Sequence, residues 1–167
     1  KNPHLGYFMN IFVLDSNIVK AAQYHVDKHV VKMPLETAQM LCTVRLSLGE
    51  SSETVPYRKT HQKHPCTLWA TETLDNYLWL CDLGLALCSE YTYRYGRVHK
   101  CEAVINNCID NMPNIPDVGS TPHPQTMDDY CKLADPVMGY RNYYNNEKNH
   151  LFSWKNRPTP HWVKSGV

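Results

Sequence analysis

The sequence lacks an excess of charge of either sign, and it lacks long apolar runs. Its 167 residues include 17 Lys and Arg and 16 Asp and Glu, a formal net charge of +1, and its pI is about 7.8. Dedicated duplex-binding domains usually have a pI above about 9. Any contact with nucleic acid must therefore be a local patch. No apolar run approaches the ~20 residues of a membrane span, so we expect no membrane partner.

Several short motifs of known chemistry are also missing. The chain has no CxxC, HExxH, GxGxxG or Walker pattern, which removes the usual sequence indications of zinc and nucleotide sites. Its seven cysteines include two pairs, Cys81/Cys88 and Cys101/Cys108, at two-turn spacing on helical patterns. We therefore predict buried, small apolar side chains in a reducing compartment, rather than a disulfide or metal framework.

The apolar periodicity predicts a mainly α protein with a single compact domain of about four to five helices. We expect these helices over residues 18–46, 64–95, 97–110 and 135–149. A short extended arm or strand, 10–15, precedes them, and a proline-rich loop spans 111–125. Pro34 is expected to kink the first helix. Residues 1–8 are interpreted as a leader or as non-native residues, which leaves 9–167 as the domain.

One stripe of the first predicted helix carries an unusual set of polar side chains. His25, His29, Lys32, Glu36 and Gln39 follow the i, i+4, i+7, i+11, i+14 spacing of a single helix face. The stripe has two interpretations. It is either a solvated face with a Lys32–Glu36 pair, or a buried polar row that needs partners or a ligand. The apolar stripes on both sides of it favour the second.

A second set of polar and aromatic residues could complete a ligand site. Alternating Tyr and Arg side chains suit stacking on bases and contact with phosphate, although Glu90 and Arg94 also fit an ordinary surface pair. The aromatic tail could clamp an anion and stack on a base, or it could simply cap the core. The candidate substrate- and phosphate-binding residues are Lys28, Gln39, His61, His64, Tyr91, Arg94, Arg97, Lys100, Arg157 and Trp162.

The order of features also resembles a known family. "MNIFVLD", "AAQYHVDKHVVKM", "HPCTLW" and "EYTYRYG" look like a family of small, uncharacterised phage proteins. More remotely, the chain is similar to the phage pyrimidine-dimer DNA glycosylases of the endonuclease V type. The matching pieces are Ala22-Gln23-Tyr24-His25, the 64–95 helix, and Arg157-Pro158-Thr159 with Trp162. The resemblance implies a small, mainly α glycosylase or AP lyase for damaged or modified pyrimidines, in the cytoplasm of an infected bacterial host.

The chain departs from that family at the reacting groups. The family uses an N-terminal amine and a glutamate seven residues beyond the helix histidine. Here Lys32 stands at that place, and Glu36 comes one turn later. Asn10 follows Met9, and its size disfavours removal of that methionine, so we do not expect a free amine at the arm.

We therefore expect an enzyme that acts on a nucleobase or nucleotide, with DNA or a nucleotide as its partner and no cofactor. Lys32 is the expected nucleophile, because burial and a cationic neighbour lower the pKa of a lysine and let it form an imine. Glu36 would move protons or stabilise an oxocarbenium-like centre, and His25 or His29 would serve as acid or base.

Two other functions stay open at this point. The first is a metal-dependent enzyme in which His25, His29, His61 and His64 hold a divalent metal. The second is a non-enzymatic phage accessory protein that binds a host protein or a nucleotide. The sequence does not indicate an oligomeric state.

Overall fold

Six α-helices are the main regular elements of the computed structural model, which describes residues 9–164. Their bounds are α1 Ile18–Tyr24, α2 Asp27–Ser47, α3 Pro65–Glu72, α4 Leu74–Tyr95, α5 Glu102–Asp110 and α6 Pro136–Glu147. Short 3₁₀ segments, Asp129–Cys131 and Asn149–Leu151, flank α6. The described part of the chain contains no strand, which confirms the mainly α prediction. The leader prediction for 1–8 lies outside the described residues.

Two of the predicted helices are each broken once, so there are more helices than expected. The backbone of His25 and Val26 is extended, which separates α1 from α2. The backbone of Thr73 is also extended, and its hydroxyl accepts the Asn76 N–H to cap α4. Pro34, where a kink was expected, lies inside α2.

Two further helix ends are set by residues with a local capping role. Asp135 caps α6 by accepting the Val137 N–H, and Pro136 occupies the first turn. Gly96 ends α4 in the left-handed conformation, with φ of 67°. Residues 111–125 contain no regular element. The ends of α4 and α6 are therefore determined by residues next to each helix in the sequence.

Helix α4 is central, because it packs against α1, α2, α3 and α5. Gly84 marks its closest approach to two of these neighbours. A Cβ atom at this position would lie 2.9 Å from Thr37 Cγ2 on α2 and 2.9 Å from Ile105 Cδ1 on α5. All seven cysteines are buried and free, as predicted. Within the described chain, no helix has both the length and the apolar character of a membrane span.

The N-terminal arm is part of the core. Residues 9–14 are buried and have no regular secondary structure. The Asn10 amide donates to the Thr126 carbonyl, and its Oδ1 accepts the Tyr140 hydroxyl. Phe12 stacks on His29, with the ring centroids 4.3 Å apart. The arm is thereby fixed against the face of α2 that carries the candidate catalytic residues.

The C-terminal tail packs back on the helices, as expected. The Trp154 indole N–H donates to the Tyr24 carbonyl at 2.8 Å. Asn145 on α6 donates to the Trp162 carbonyl and accepts the Lys164 N–H. The tail therefore covers the end of α1 and one side of α6.

Gly84→Ala should destabilise the protein by about 1–2 kcal/mol. The added methyl group has to displace two buried side chains, and this outweighs the gain of roughly 0.5–1 kcal/mol in helix propensity. Urea unfolding followed by circular dichroism measures the difference. Ser89→Ala, on the exposed face of α4, serves as the control and should change little. Equal or greater stability of Gly84→Ala would contradict the tight packing of α4 at this position.

Candidate active site

A small pocket lies between α2, the N-terminal arm and the C-terminal end of α6. Its lining residues are Asn10, Phe12, His29, Lys32, Met33, Glu36, Tyr143 and Lys148. Its volume is about 40 Å³, enough for roughly two or three water molecules. Three of the four predicted catalytic residues, His29, Lys32 and Glu36, therefore meet at one pocket.

Glu36 is the buried acid of this pocket. It is 5% exposed, and its Oε2 makes no hydrogen bond within the described residues. Burial raises the pKa of the Glu36 carboxyl to about 7, although the cations of Lys32 and Lys148 act in the opposite direction. A carboxyl with this pKa can both donate and accept a proton near neutral pH.

Lys148 supplies an amine that was not predicted from the sequence. It is the C-cap residue of α6, half-buried, with Nζ 5.4 Å from the centroid of the Tyr143 ring. Burial lowers the pKa of its ammonium group, and the charge of Lys32 adds to this effect, whereas Glu147 and Glu36 oppose it. Lys148 lies four residues after Tyr144, which is fully buried.

Lys32 differs from the expected buried nucleophile. Its side chain is exposed at the edge of the pocket, so the burial that was expected to activate it acts on Lys148 instead. Lys32 is still close enough to influence the charge of Glu36 and of Lys148. The pocket therefore holds one carboxyl between two amines.

His29 is a buried, neutral imidazole. Its Nδ1 lies 2.6 Å from the Tyr144 hydroxyl, and its ring stacks on Phe12. Burial lowers the pKa of His29 to about 2, with further lowering from the charges of His25, Lys148 and Lys32. Fixed in position without a charge, His29 can act as a hydrogen-bonding partner in the pocket.

His25 and Gln39 do not line the pocket, contrary to the single row predicted for the stripe. The break before α2 places His25 on a different segment, where its Nδ1 donates to the Ala21 carbonyl at 2.6 Å. Burial lowers the pKa of His25 to about 4. His25 therefore has a structural role at the end of α1, and Gln39 lies half-buried further along α2.

Arg94 is a buried structural cation, not the exposed phosphate ligand that was expected. Its side chain is 0% exposed. It donates to Glu90 Oε1 and Asp27 Oδ1, each at 2.9 Å, and to the carbonyls of Gln23 and His25. The pair of Glu90 and Arg94 is thus an i,i+4 ion pair as predicted, but it lies in the core.

Arg157 and Trp162 belong to the cap that the tail forms. Arg157 donates to both carboxylate oxygens of Glu90, at 2.9 and 3.1 Å, and stacks over Tyr93 at 3.9 Å. The Trp162 ring lies against Tyr24 with its centroid 5.7 Å away. Neither residue lines the pocket, so the proposed anion clamp and base platform have no counterpart there.

Lys28, His61 and His64 do not line the pocket. His64 caps α3, because its Nδ1 accepts the Cys66 N–H at 3.1 Å. His61 is exposed in a loop, and Lys28 is exposed on α2. Among residues 9–164, no group of three or more His, Cys, Asp or Glu side chains could hold a metal ion. No observation on these residues supports the metal site of four histidines, which stays a prediction from the sequence.

Three of the predicted substrate- and phosphate-binding residues meet in a second, larger site. Tyr91, Arg97 and Lys100 line a groove of about 670 Å³ beside α2. Lys32 lines both this groove and the pocket. The two sites are therefore adjacent. No protein-family model, curated protein or solved structure matches the chain, so function is argued from the pocket and the groove.

Glu36→Gln should change how stability depends on pH. The folded pKa of Glu36, about 7, lies above its ordinary value of 4.5. The folded state therefore binds this proton more tightly, and ionisation of Glu36 lowers the free energy of unfolding as pH rises from about 4.5 to 7. The variant should become about 2–3 kcal/mol more stable relative to wild type between pH 5 and 8.5.

Urea unfolding of both proteins across this pH range measures the effect. Glu53→Gln, which changes an exposed carboxyl, is the matched control and should show no such trend. A stability difference between Glu36→Gln and wild type that does not vary with pH would mean that Glu36 ionises normally in the folded protein.

Arg94→Met should lower the free energy of unfolding by about 3 kcal/mol, since it leaves Glu90 and Asp27 without their shared cation. Arg97→Ala, an exposed change three residues away, should stay within about 0.5 kcal/mol of wild type. Thermal and urea unfolding provide the comparison. Unchanged stability of Arg94→Met would contradict the structural role of the Arg94 cation.

Proposed function

We propose that the protein is an imine-forming lyase that acts on the aldehyde of an abasic site in DNA. The observation that carries this proposal is the pairing of Glu36, whose pKa is raised to about 7, with the half-buried amine of Lys148 in one pocket. An amine with a lowered pKa attacks carbonyl groups, and a carboxyl that titrates near pH 7 can move the protons that this attack requires.

The reaction can be assigned to these groups with all atoms balanced. Lys148 Nζ adds to C1′ of the ring-opened deoxyribose, and one amine proton passes to the oxygen. Glu36 donates a second proton, so the oxygen leaves as water and a protonated imine remains. Glu36, now a carboxylate, then removes a proton from C2′. The C3′–O bond breaks, and the 3′ phosphate departs with the electron pair. Hydrolysis of the imine restores the amine of Lys148.

Lys148 replaces Lys32 as the proposed nucleophile. Lys32 is exposed at the pocket edge, where its charge contributes to the lowered pKa of Lys148 and can face a DNA phosphate. Imine formation by a lysine, as expected from the sequence, is retained. The attacking nitrogen is now that of Lys148, at the C-terminal end of α6.

The size of the pocket favours a lyase over an enzyme that encloses a base. About 40 Å³ admits a reacting carbonyl group, whereas an extruded pyrimidine would need the adjacent groove. The same amine could also excise a damaged or modified pyrimidine before the lyase step. We propose this activity with the groove as the site that holds the base. We propose a cytoplasmic setting, in an infected bacterium if the chain is phage-encoded.

Borohydride trapping tests the lyase directly. Wild-type protein, mixed with an oligonucleotide that carries an abasic site, should give a covalent adduct after reduction of the imine. Lys148→Ala should lower the adduct yield at least about tenfold, because the other amine of the pocket, Lys32, lies exposed at its edge. Glu36→Gln should slow its formation by about 10²-fold, the scale expected when acid–base catalysis is removed.

Two controls make the trapping result specific. Lys20→Ala removes an exposed lysine of α1 that does not line the pocket and should trap like wild type. An oligonucleotide with a tetrahydrofuran in place of the abasic sugar has no aldehyde and should give no adduct. The proposal fails if wild type gives no adduct, and peptide mapping of the adduct to Lys32 would overturn the choice of Lys148.

A further inference from the structure

We propose that the groove beside α2 binds an unpaired stretch of one DNA strand and delivers its sugar to the pocket. We call this site the α2 groove. It is lined by Val31, Lys32, Leu35, Tyr57, Tyr91, Arg97, Val98, His99, Lys100 and Cys101. The inference rests on the proposed lyase function for its substrate, and it adds the form in which that substrate is bound.

The lining of the groove fits the faces of unpaired bases. Val31, Leu35 and Val98 are 45%, 39% and 71% exposed, although all three are apolar, and two tyrosines lie beside them. Bases offer flat apolar faces to such side chains only when they are not stacked in a duplex. The volume of about 670 Å³ lies within the roughly 300–1,000 Å³ of ligand sites.

The charges of the groove complement a phosphate backbone. Lys32, Arg97 and Lys100 contribute three cationic side chains, and none of the lining residues is acidic. The whole chain has a net charge of only +1, so this groove is a local concentration of positive charge. Cations beside apolar side chains are the combination that single-strand sites use, whereas a duplex would need a broader basic face.

Hydrogen bonds of His99 hold the outer wall of the groove in place. His99 Nε2 donates to the Val31 carbonyl of α2 at 2.8 Å, and His99 Nδ1 accepts the Cys101 N–H at 3.0 Å. These two bonds require the same tautomer of the imidazole, so they are compatible. The Tyr91 ring meets His99 edge to face at 4.8 Å. Preformed walls reduce the ordering that binding would require.

Lys32 joins the groove to the pocket, because it lines both. A strand that lies along the groove with a phosphate at Lys32 therefore brings the neighbouring sugar towards Glu36 and Lys148. This continuity favours a strand of substrate over an acidic peptide or a second copy of the chain, neither of which would need access to the pocket.

Fluorescence anisotropy with labelled oligonucleotides tests the groove. The probe is a single strand with a central tetrahydrofuran, compared with the same strand in a duplex. We expect the single strand to bind at least about fivefold more tightly. Arg97→Ala/Lys100→Ala should weaken binding about tenfold and reduce the slope of log K against log salt by about 0.7 for each phosphate that the variant no longer neutralises. Val98→Ser should weaken binding without changing this slope.

A matched control removes the same charges elsewhere. Arg58→Ala/Lys63→Ala deletes one arginine and one lysine that are exposed and do not line the groove, and it should bind almost like wild type. Equally weakened binding in the two double variants, or equal affinity for duplex and single strand, would overturn the proposal. So would a dimer in sedimentation experiments that Val98→Ser disrupts, since the groove would then be an interface between copies.

The binding test and the lyase test can fail separately. The tetrahydrofuran probe has no aldehyde, so its binding does not depend on imine chemistry. Borohydride trapping with 2-deoxyribose 5-phosphate, which has an aldehyde but no strand, reports on the pocket without the groove. Trapping of the sugar together with no preference for single strands would retain the lyase and reject the groove.

Discussion

The buried guanidinium group of Arg94 is the interaction on which the rest of the structure depends. It binds the last carbonyls of α1, the first carboxylate of α2 and Glu90 on its own helix. Through Glu90 and Asp27 it also reaches the tail, where Arg157, Ser153 and the backbone of Lys155 contact the same carboxylates. Because backbone groups at a helix end need partners, this cation stabilises the break before α2. This break sets the direction of α2 and therefore the position of Glu36.

In the pocket, burial has a larger effect on proton affinities than the nearby charges do. Two lysines face Glu36, and Coulomb attraction alone would make it a stronger acid, yet desolvation raises its pKa to about 7. The same desolvation lowers the pKa of Lys148, so the neutral forms of the acid and the amine are both stabilised. Neutral His29, stacked on Phe12, extends this low-charge environment. Acid–base chemistry near pH 7 requires groups in such a state.

Local patterns were sufficient to predict much of the fold and part of the site. The helix class, the caps at Asp135 and Gly96, and the grouping of His29, Lys32 and Glu36 all follow from spacing within one segment. The break at His25 does not, because its partner is Arg94, far along the chain. The i,i+4 spacing of Glu90 and Arg94 predicted their ion pair, but spacing does not distinguish a buried pair from an exposed one. Lys148 was missed because it reaches the pocket only through the packing of α6 against the arm.

The N-terminal arm has a consequence for how the protein is made. Asn10 lies at the pocket and is hydrogen-bonded to Thr126 and Tyr140, and Lys148 closes the opposite side. Two segments that are far apart in the polypeptide must therefore meet before the pocket exists. Such distant contacts form slowly compared with local ones. A nascent chain on the ribosome would carry completed helices well before it carried this pocket.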